Sequence, residues 1–190
     1  MDNELKPTDD DNQSNFTFTF KSETDGLWGQ AFFISAIVIN HSGEVVDQFI
    51  GKSNIDSVKD GWAVNHILPT LISVEVTHES YERMLKAFAR FYMKWENNST
   101  MVINNGYMIE TKVIRDMYDF GFIGEWDAPA PLYDVVNFLQ MAEECPGIEY
   151  YAQSHGLLSN YSGKVPPEST LHDPYVIGIV YNHLASLKLS

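Results

Sequence analysis

An ammonium group and a carboxylate lie two positions apart near the start of the chain. Phenylalanine and threonine alternate over residues 16–20, and Lys21 and Glu23 continue the polar positions. A period of two is typical of a strand with one buried face, so Lys21 and Glu23 are predicted to share the polar face. The two side chains can then form an ion pair. The plainer interpretation is that Lys21 points into water at the strand end.

Several common chemistries lack their residues in this sequence. Gly26 and Gly29 have neither the spacing of a dinucleotide-binding loop nor the Gly-Lys-Ser/Thr of a Walker loop. No Gly-x-Ser-x-Gly elbow is present. His66, His155 and His183 show no His-x-x-His or Glu-x-x-His spacing that would indicate a helical zinc site. Glu75 lies three residues before His78, but it precedes the helix that is predicted to begin at residue 78. Cys145 is the single cysteine, so no disulfide framework exists.

Residues 20–27 read Phe-Lys-Ser-Glu-Thr-Asp-Gly-Leu. This string resembles the first motif of the DEDDh 3'–5' exonucleases, the group that includes polymerase proofreading subunits. That motif runs Asp-x-Glu-Thr-x-Gly-Leu at the end of a first strand. Glu23, Gly26 and Leu27 match it, whereas Lys21 stands where the family has a metal-binding aspartate.

Three further segments resemble later motifs of the same family. Residues 105–110, Asn-Gly-Tyr-Met-Ile-Glu, are similar to the Gly-x-x-Val-Glu second motif of a bacterial and phage branch, with Glu110 as its acid. Residues 171–177 resemble the third motif, a histidine followed five residues later by aspartate. His172 is in place, but Ile177 is not an acid. Residues 131–135 resemble a structural segment of that branch, so the matching motifs follow one another in the family's order.

The resemblance implies a site and a substrate. Family members hold two divalent ions with four carboxylates, and the histidine serves as general base in phosphodiester hydrolysis. On this pattern Glu23, Glu110 and His172 are the remnant catalytic positions, with Glu23 and Glu110 the metal ligands. Mg²⁺ or Mn²⁺ is the expected ion if the site is active. Trp28 and Asn105 map beside the substrate cleft, where Trp28 would stack on a base; a core position is the plainer interpretation of Trp28.

The charge count favours inactivity. Four carboxylates balance two divalent ions, but Lys21 and Ile177 leave two carboxylates and one ammonium. An ammonium about 4 Å from a divalent ion is repelled by about 8 kcal/mol at an effective dielectric of roughly 20. Ile177 offers no oxygen to a hard cation. We therefore expect no bound cofactor, and Lys21 is interpreted as a counter-charge that pairs with Glu23 or Glu110 in place of the metal.

Other acids leave an active enzyme as an alternative. Asp25, Asp134 and Asp173 could serve as substitute ligands. Asp134 is equally well explained as a helix-start cap. His172, without metals, is interpreted as a residue that caps or flanks the last helix.

The elements that would position these residues follow from hydrophobic periodicity. Three strands open the domain, of which the second and third are joined by a turn at 41–43. Helices are predicted at 78–95, at 109–118 and after the Asp173–Pro174 pair, with Val176, Val180, Leu184 and Leu187 on one stripe. A short strand is predicted at 101–103, a strand edge that runs into a helix at 132–141, and a loop at 156–170. This order indicates an α/β domain with a mixed sheet flanked by helices, and the resemblance implies a ribonuclease H-like fold.

Composition sets the remaining expectations. The chain has 190 residues, of which 44% are hydrophobic, and a net charge of −14. We predict an acidic, disordered leader at residues 1–14 and one exonuclease-like domain at 15–190. No apolar run reaches the roughly 18 residues that span a bilayer, and no secretory pattern opens the chain, so a cytoplasmic protein without membrane contact is predicted. The negative charge weighs against tight non-specific nucleic-acid binding and suits a basic partner surface.

These observations favour a degenerate, phage-associated DEDDh exonuclease-like pseudoenzyme that binds nucleic acid or a basic protein surface. One alternative is an active metal-dependent 3'–5' exonuclease on DNA or RNA. Another is a structural or assembly protein that reuses the scaffold. The sequence leaves the oligomeric state open.

Overall fold

A five-stranded mixed sheet forms the centre of the protein. The structure, a computed structural model, describes residues 15–106, 108–141, 147–158, 165 and 169–188. The strand order is β3-β2-β1-β4-β5. Neighbours in the β3-β2-β1 half are antiparallel, whereas β4 runs parallel to both β1 and β5. The strands are β1 (Phe16–Thr24), β2 (Ala31–Asn40), β3 (Val45–Lys52), β4 (Ser99–Ile103) and β5 (Leu132–Asp134).

Helices cover both faces of this sheet, which confirms the predicted α/β class with a mixed sheet flanked by helices. The first apolar cluster joins Phe18 and Phe20 of β1 to two helices on one face. The second joins Ile37 and Ile39 of β2 to three helices on the other. The helices are α1 (Tyr81–Trp95) and α2 (Glu110–Asp119) on the first face, and α3 (Val135–Met141), α4 (Ile148–Ser154) and α5 (His172–Lys188) on the second.

The amphipathic pattern of α1 explains both its existence and its start. Its buried residues recur every three or four positions and include Met84, Leu85 and Phe88. The helix begins at Tyr81, three residues later than predicted, because the Ser80 side chain accepts a hydrogen bond from the Arg83 N–H and caps the first turn. Truncation of a fully buried ring such as Phe88 to alanine typically destabilises a fold by about 3–5 kcal/mol.

Helix α5 lies deeper than a one-sided stripe would place it. Tyr175, Val176, Ile177, Ile179 and Val180 are all buried, because the sheet packs on one side and other helices on the other. The predicted stripe therefore describes only part of the buried surface, and its last member, Leu187, is 56% exposed. Close approach to the sheet requires Gly178, where a Cβ atom would lie 2.7 Å from Ile39 Cδ1.

Besides a 3₁₀ turn at Glu96–Asn98, two further short helical stretches were not predicted. A π-helical turn (Ala63–Ile67) continues into a 3₁₀ turn (Leu68–Leu71) after β3, and α4 precedes the third motif. The predicted leader at residues 1–14, Cys145 and most of the predicted loop at 156–170 lie outside the described residues. Within the described part of the chain, no helix is both long and apolar enough to cross a bilayer.

Candidate functional site

The polar face of β1 lies against α5. Thr17 Oγ1 donates to Asn182 Oδ1 at 2.6 Å, and the buried Thr19 Oγ1 donates to the carbonyl oxygen of Pro174 at 2.5 Å. Lys21 Nζ, two residues further, donates to the Asp173 carboxylate. Thr17, Thr19 and Lys21 lie on the same face of the strand because its period is two, and each of them is bonded to the helix.

Lys21 lies between two carboxylates. Its Nζ is 3.5 Å from Glu23 Oε1 and also contacts Asp173. The Glu23 side chain is 20% exposed, and those of Lys21 and Asp173 are about half exposed. Of the two predicted partners, Glu23 or Glu110, the ammonium pairs with Glu23, and Asp173 is a further partner that was not predicted for it.

The electrostatics of this cluster favour a protonated lysine. Burial lowers the pKa of Lys21, but the hydrogen bond and charge of Asp173, helped by Glu23, outweigh it and leave that pKa above 10.5. Burial raises the pKa of Glu23 above 4.5; Lys21 opposes this change, and Asp173 adds to it. The cluster therefore keeps its cation and holds Glu23 as a less acidic carboxyl group than usual.

Glu110 faces the free edge of β1. It is 5% exposed, and its Oε1 accepts hydrogen bonds from Ser22 N at 2.9 Å and Ser22 Oγ at 3.3 Å. The parallel pairing of β1 with β4 ends at Thr19, so the Ser22 N–H has no strand partner on that side. The carboxylate takes the place of that strand. Burial raises the pKa of Glu110, and the Ser22 bonds oppose the rise.

A glycine lets the preceding loop approach Glu110. A Cβ atom on Gly106 would lie 2.5 Å from Glu110 Oε2, which is closer than real Cβ atoms come. Asn105 is exposed and adopts a left-handed φ of 53°. The second motif therefore shapes the backbone around the buried carboxylate.

Two of the proposed substitute ligands instead hold loop backbone. Asp134 accepts from the N–H groups of Asn105 at 2.8 Å and Gly106 at 3.2 Å, and it also caps α3 through Val136 N at 3.1 Å. Asp25 Oδ1 accepts from Lys59 N at 2.8 Å and Asp60 N at 2.6 Å. These hydrogen bonds occupy carboxylate oxygens that a metal would need.

His172 and Ile177, the two mapped residues of the third motif, have their contacts outside the Lys21 cluster. His172 is the first residue of α5, and its Nε2 lies 3.1 Å from Glu149 Oε1 on α4. This is the helix-flanking position that the sequence suggested as the alternative to a base. Ile177 is 4% exposed and belongs to the apolar cluster between sheet and helices. Of this motif, Asp173 is the residue bonded to Lys21.

A cleft of about 250 Å³ opens beside Glu23. Trp62, which sequence reasoning missed, is 62% exposed and stacks on His66 at 5.1 Å between ring centroids. The sequence signal that could have found it is the absence of Asp, Glu, Lys and Arg over residues 61–74. The cleft is lined by Glu23, Thr24, Gly26, Leu27, Asp60, Trp62, Ile67 and Ile109.

Trp28 is neither a core residue nor part of this lining. Its side chain is 72% exposed, so the core interpretation of Trp28 is wrong. Leu27, its neighbour, lines the cleft and is 57% exposed.

Lys52 attaches the segment that follows Trp62 to the sheet. This lysine is 3% exposed, and its Nζ donates to the carbonyl oxygens of Leu71 at 2.6 Å and Val74 at 2.8 Å. The Thr77 N–H donates to the Lys52 carbonyl oxygen at 2.9 Å. Both the side chain and the backbone carbonyl group of Lys52 therefore attach residues 63–77 to the end of β3.

The residues present do not fit the two-metal site of the family. Glu23 and Asp173 share one ammonium, and Glu110 is bonded to Ser22. Over the described residues, no group of three or more His, Cys, Asp or Glu side chains is arranged to hold a metal ion. A cation at the centre of the carboxylates opposes a second, divalent cation there.

No protein-family model and no curated protein matches this chain. Among solved structures it is similar to product-bound exonuclease I, with 14% identity and a TM-score of 0.47 over 93% of this chain and 43% of that one. An inhibitor complex of exonuclease I gives 13% identity and a TM-score of 0.45, covering 93% and 41%. E. coli exonuclease I with an oligonucleotide gives 14% and 0.47, covering 93% and 40%. The chain spans less than half the length of these proteins.

Proposed function

We propose that this chain is an exonuclease-like protein that does not cleave nucleic acid and acts by binding a partner. The observation that carries the proposal is the Lys21 ammonium between Glu23 and Asp173. A half-buried ammonium with two carboxylate partners supplies the local positive charge that a divalent ion would otherwise bring. The ion pair thus makes the site stable without metal.

The other carboxylates support the same conclusion. Glu110 satisfies the backbone of Ser22, and Asp25 and Asp134 satisfy loop N–H groups. Moving Glu110 to an ion would leave the buried Ser22 N–H unpaired, at about 1–3 kcal/mol. The fold therefore uses these acids as hydrogen-bond acceptors.

The surface beside the cluster suits binding. Leu27 and Trp62 present apolar area to solvent beside the carboxylates. Exposed aromatic side chains next to a cleft are typical of sites that hold a base or an amino-acid side chain. Nucleic acid and a basic protein surface are the two partner classes that this arrangement can serve.

A digestion assay separates binding from catalysis. Labelled single-stranded DNA and RNA are incubated with the protein and Mg²⁺ or Mn²⁺, and we expect no shortening. Shortening from the 3' end that Glu23→Ala abolishes would establish the active-exonuclease alternative instead. The same oligonucleotides at low salt, with a pull-down, distinguish nucleic-acid binding from assembly with a protein.

A thermal-shift experiment tests the role of Lys21. Lys21→Asp places a third carboxylate beside Glu23 and Asp173, so Mn²⁺ should raise the melting temperature of this variant and leave the original protein unchanged. Lys59→Asp, an exposed lysine outside the cluster, is the matched control. Adding Ile177→Asp is inadvisable because it would bury a carboxylate in the apolar cluster. A Mn²⁺ effect on the unaltered protein, or none on Lys21→Asp, contradicts the proposal.

A further inference from the structure

Both charged residues that line the cleft are acidic. Of its eight lining residues, Glu23 and Asp60 are acidic, and none is lysine or arginine. Asp60 Oδ1 caps the turn that starts at Ala63, with Ala63 N at 2.8 Å. The Glu23 carboxylate is only partly neutralised, because Lys21 is 3.5 Å from one of its oxygens and also serves Asp173. The cleft thus presents two carboxylates to a ligand.

The walls between these carboxylates are apolar. Leu27 and Trp62 are more than half exposed, and Ile67 and Ile109 are partly buried. His66 covers one face of the Trp62 indole, and the 62% exposure of Trp62 leaves much of the ring open to solvent. Trp62 begins the stretch of residues 61–74 that has no Asp, Glu, Lys or Arg, in a chain of net charge −14. Charge depletion with an exposed aromatic residue is typical of the centre of a protein interface.

We propose that this cleft binds an arginine side chain of a partner protein. An arginine stem packs on apolar walls, and its planar guanidinium can stack on an indole while it donates paired hydrogen bonds to a carboxylate. A lysine ammonium carries the same charge, but it is not planar and cannot stack on the indole in this way. A nucleobase has the plane, but its phosphates would approach Glu23 and Asp60 against like charge, with no lining cation to offset the repulsion.

The inference rests on the proposed function, because a metal ion held by Glu23 would compete with the guanidinium. It also goes further, since it chooses a protein over nucleic acid as the occupant. The tryptophan and the arginine are the residue types that most often dominate binding energy at interfaces. A single anchored side chain of this kind can therefore decide the choice of partner.

The test uses the full chain and two matched peptides. Acetyl-Gly-Leu-Arg-Leu-Gly-amide is compared with the same peptide carrying citrulline, which keeps the shape of arginine and removes its charge. Binding is followed by the Trp62 indole signal in nitrogen–proton NMR spectra. We expect the arginine peptide to shift that signal and the citrulline peptide to bind at least about tenfold more weakly, because a hydrogen bond between two charged groups is stronger than one from a neutral donor.

Variants locate the effect in the cleft. Asp60→Asn keeps the oxygen that caps Ala63 and should lower the affinity for the arginine peptide but not for the citrulline peptide. Trp126 is a 91% exposed tryptophan outside the lining, so Trp126→Ala should leave both affinities unchanged. Equal binding of the two peptides, or an unchanged affinity in Asp60→Asn, overturns the inference. Displacement of the arginine peptide by a thymidine oligonucleotide that shifts the Trp62 signal more strongly also overturns it. Those outcomes leave the digestion and Mn²⁺ results untouched, so failure of the inference and of the proposed function can be told apart.

Discussion

Glu110 is a buried carboxylate whose stabilising role lies in its oxygen rather than its charge. Its Oε1 satisfies the Ser22 N–H and hydroxyl, and burial raises the pKa of the group. A raised pKa in the folded state means that the native protein holds the proton more tightly than the unfolded chain does. The stability linked to that proton is fully present below pH 4.5, the ordinary pKa, and is lost as the pH rises through the folded-state pKa.

Glu110→Gln should therefore stabilise the protein at neutral and alkaline pH. Glutamine keeps the acceptor for Ser22 and removes the ionised form, so the difference in melting temperature should be largest near neutrality and shrink toward pH 4.5. The measurement is thermal unfolding of both proteins across that range, with the exposed Glu125→Gln as control. Glu23 has a raised pKa of the same sign in both proteins and cancels in the comparison. A less stable glutamine variant at every pH would mean that the ionised carboxylate itself is required.

Sequence reasoning predicted the pairing of Lys21 with Glu23, named Asp173 only as a substitute metal ligand, and missed Trp62. The pairing of Lys21 with Glu23 follows from the strand period alone, since both lie on β1. Asp173 is 152 positions from Lys21, and no local pattern states which turn of α5 will face β1. Trp62 was missed because its segment lacks a sustained period, so only its lack of charge set it apart.

At the scale of elements, β1 and α5 are joined by hydrogen bonds from the strand side chains that face the helix, Thr17, Thr19 and Lys21. The Thr19–Pro174 bond is fully buried, and the Thr17–Asn182 bond is partly buried nearer the sheet end. Gly178 lets the helix backbone come close enough for both. The long strands and the three longest helices were predicted because their apolar periods are long. The turns at 63–71 and helix α4 were not, because each is short and has a weak period.

Thr19→Val should destabilise the fold by about 1–3 kcal/mol, because valine keeps the volume but leaves the bond to the Pro174 carbonyl unmade in a dry site. Thr17→Val should lose less, since its partner Asn182 is partly exposed and water can reach the Asn182 Oδ1 atom that loses the hydroxyl. Urea unfolding of the two variants provides the comparison, with similar slopes expected. Equal losses would show that burial does not separate the two bonds.

Over the whole molecule, the formal charge is −14 and the calculated isoelectric point is about 4.6. Ion pairs such as Lys94 with Asp47 and Arg115 with Asp119 lie largely at the surface, where each contributes little. The mutual repulsion of the excess acidic side chains has the greater effect on stability, and it favours expanded states.

Added salt should therefore raise the melting temperature. Between about 10 mM and about 0.3 M sodium chloride the screening length falls severalfold, so repulsion weakens more than the close, partly buried pairs do. We expect a rise of a few degrees at pH 7.5, and a smaller one near the isoelectric point, measured by differential scanning calorimetry. A fall would show that attractive pairs outweigh repulsion.

Residues 63–77 are attached to the sheet mainly through Lys52, so this segment and the sheet should differ in local stability. The strands are held by a continuous ladder, whereas this segment is held at β3 by an ammonium on two carbonyls, the backbone pair at Thr77 and a small apolar cluster. Such units open at lower free energy than a sheet, so amide hydrogens of 63–76 should exchange earlier than those of β1 and β2. A ligand that contacts both Trp62 and Glu23 would hold the segment around Trp62 against the sheet. Its binding should therefore slow amide hydrogen exchange in that segment alone.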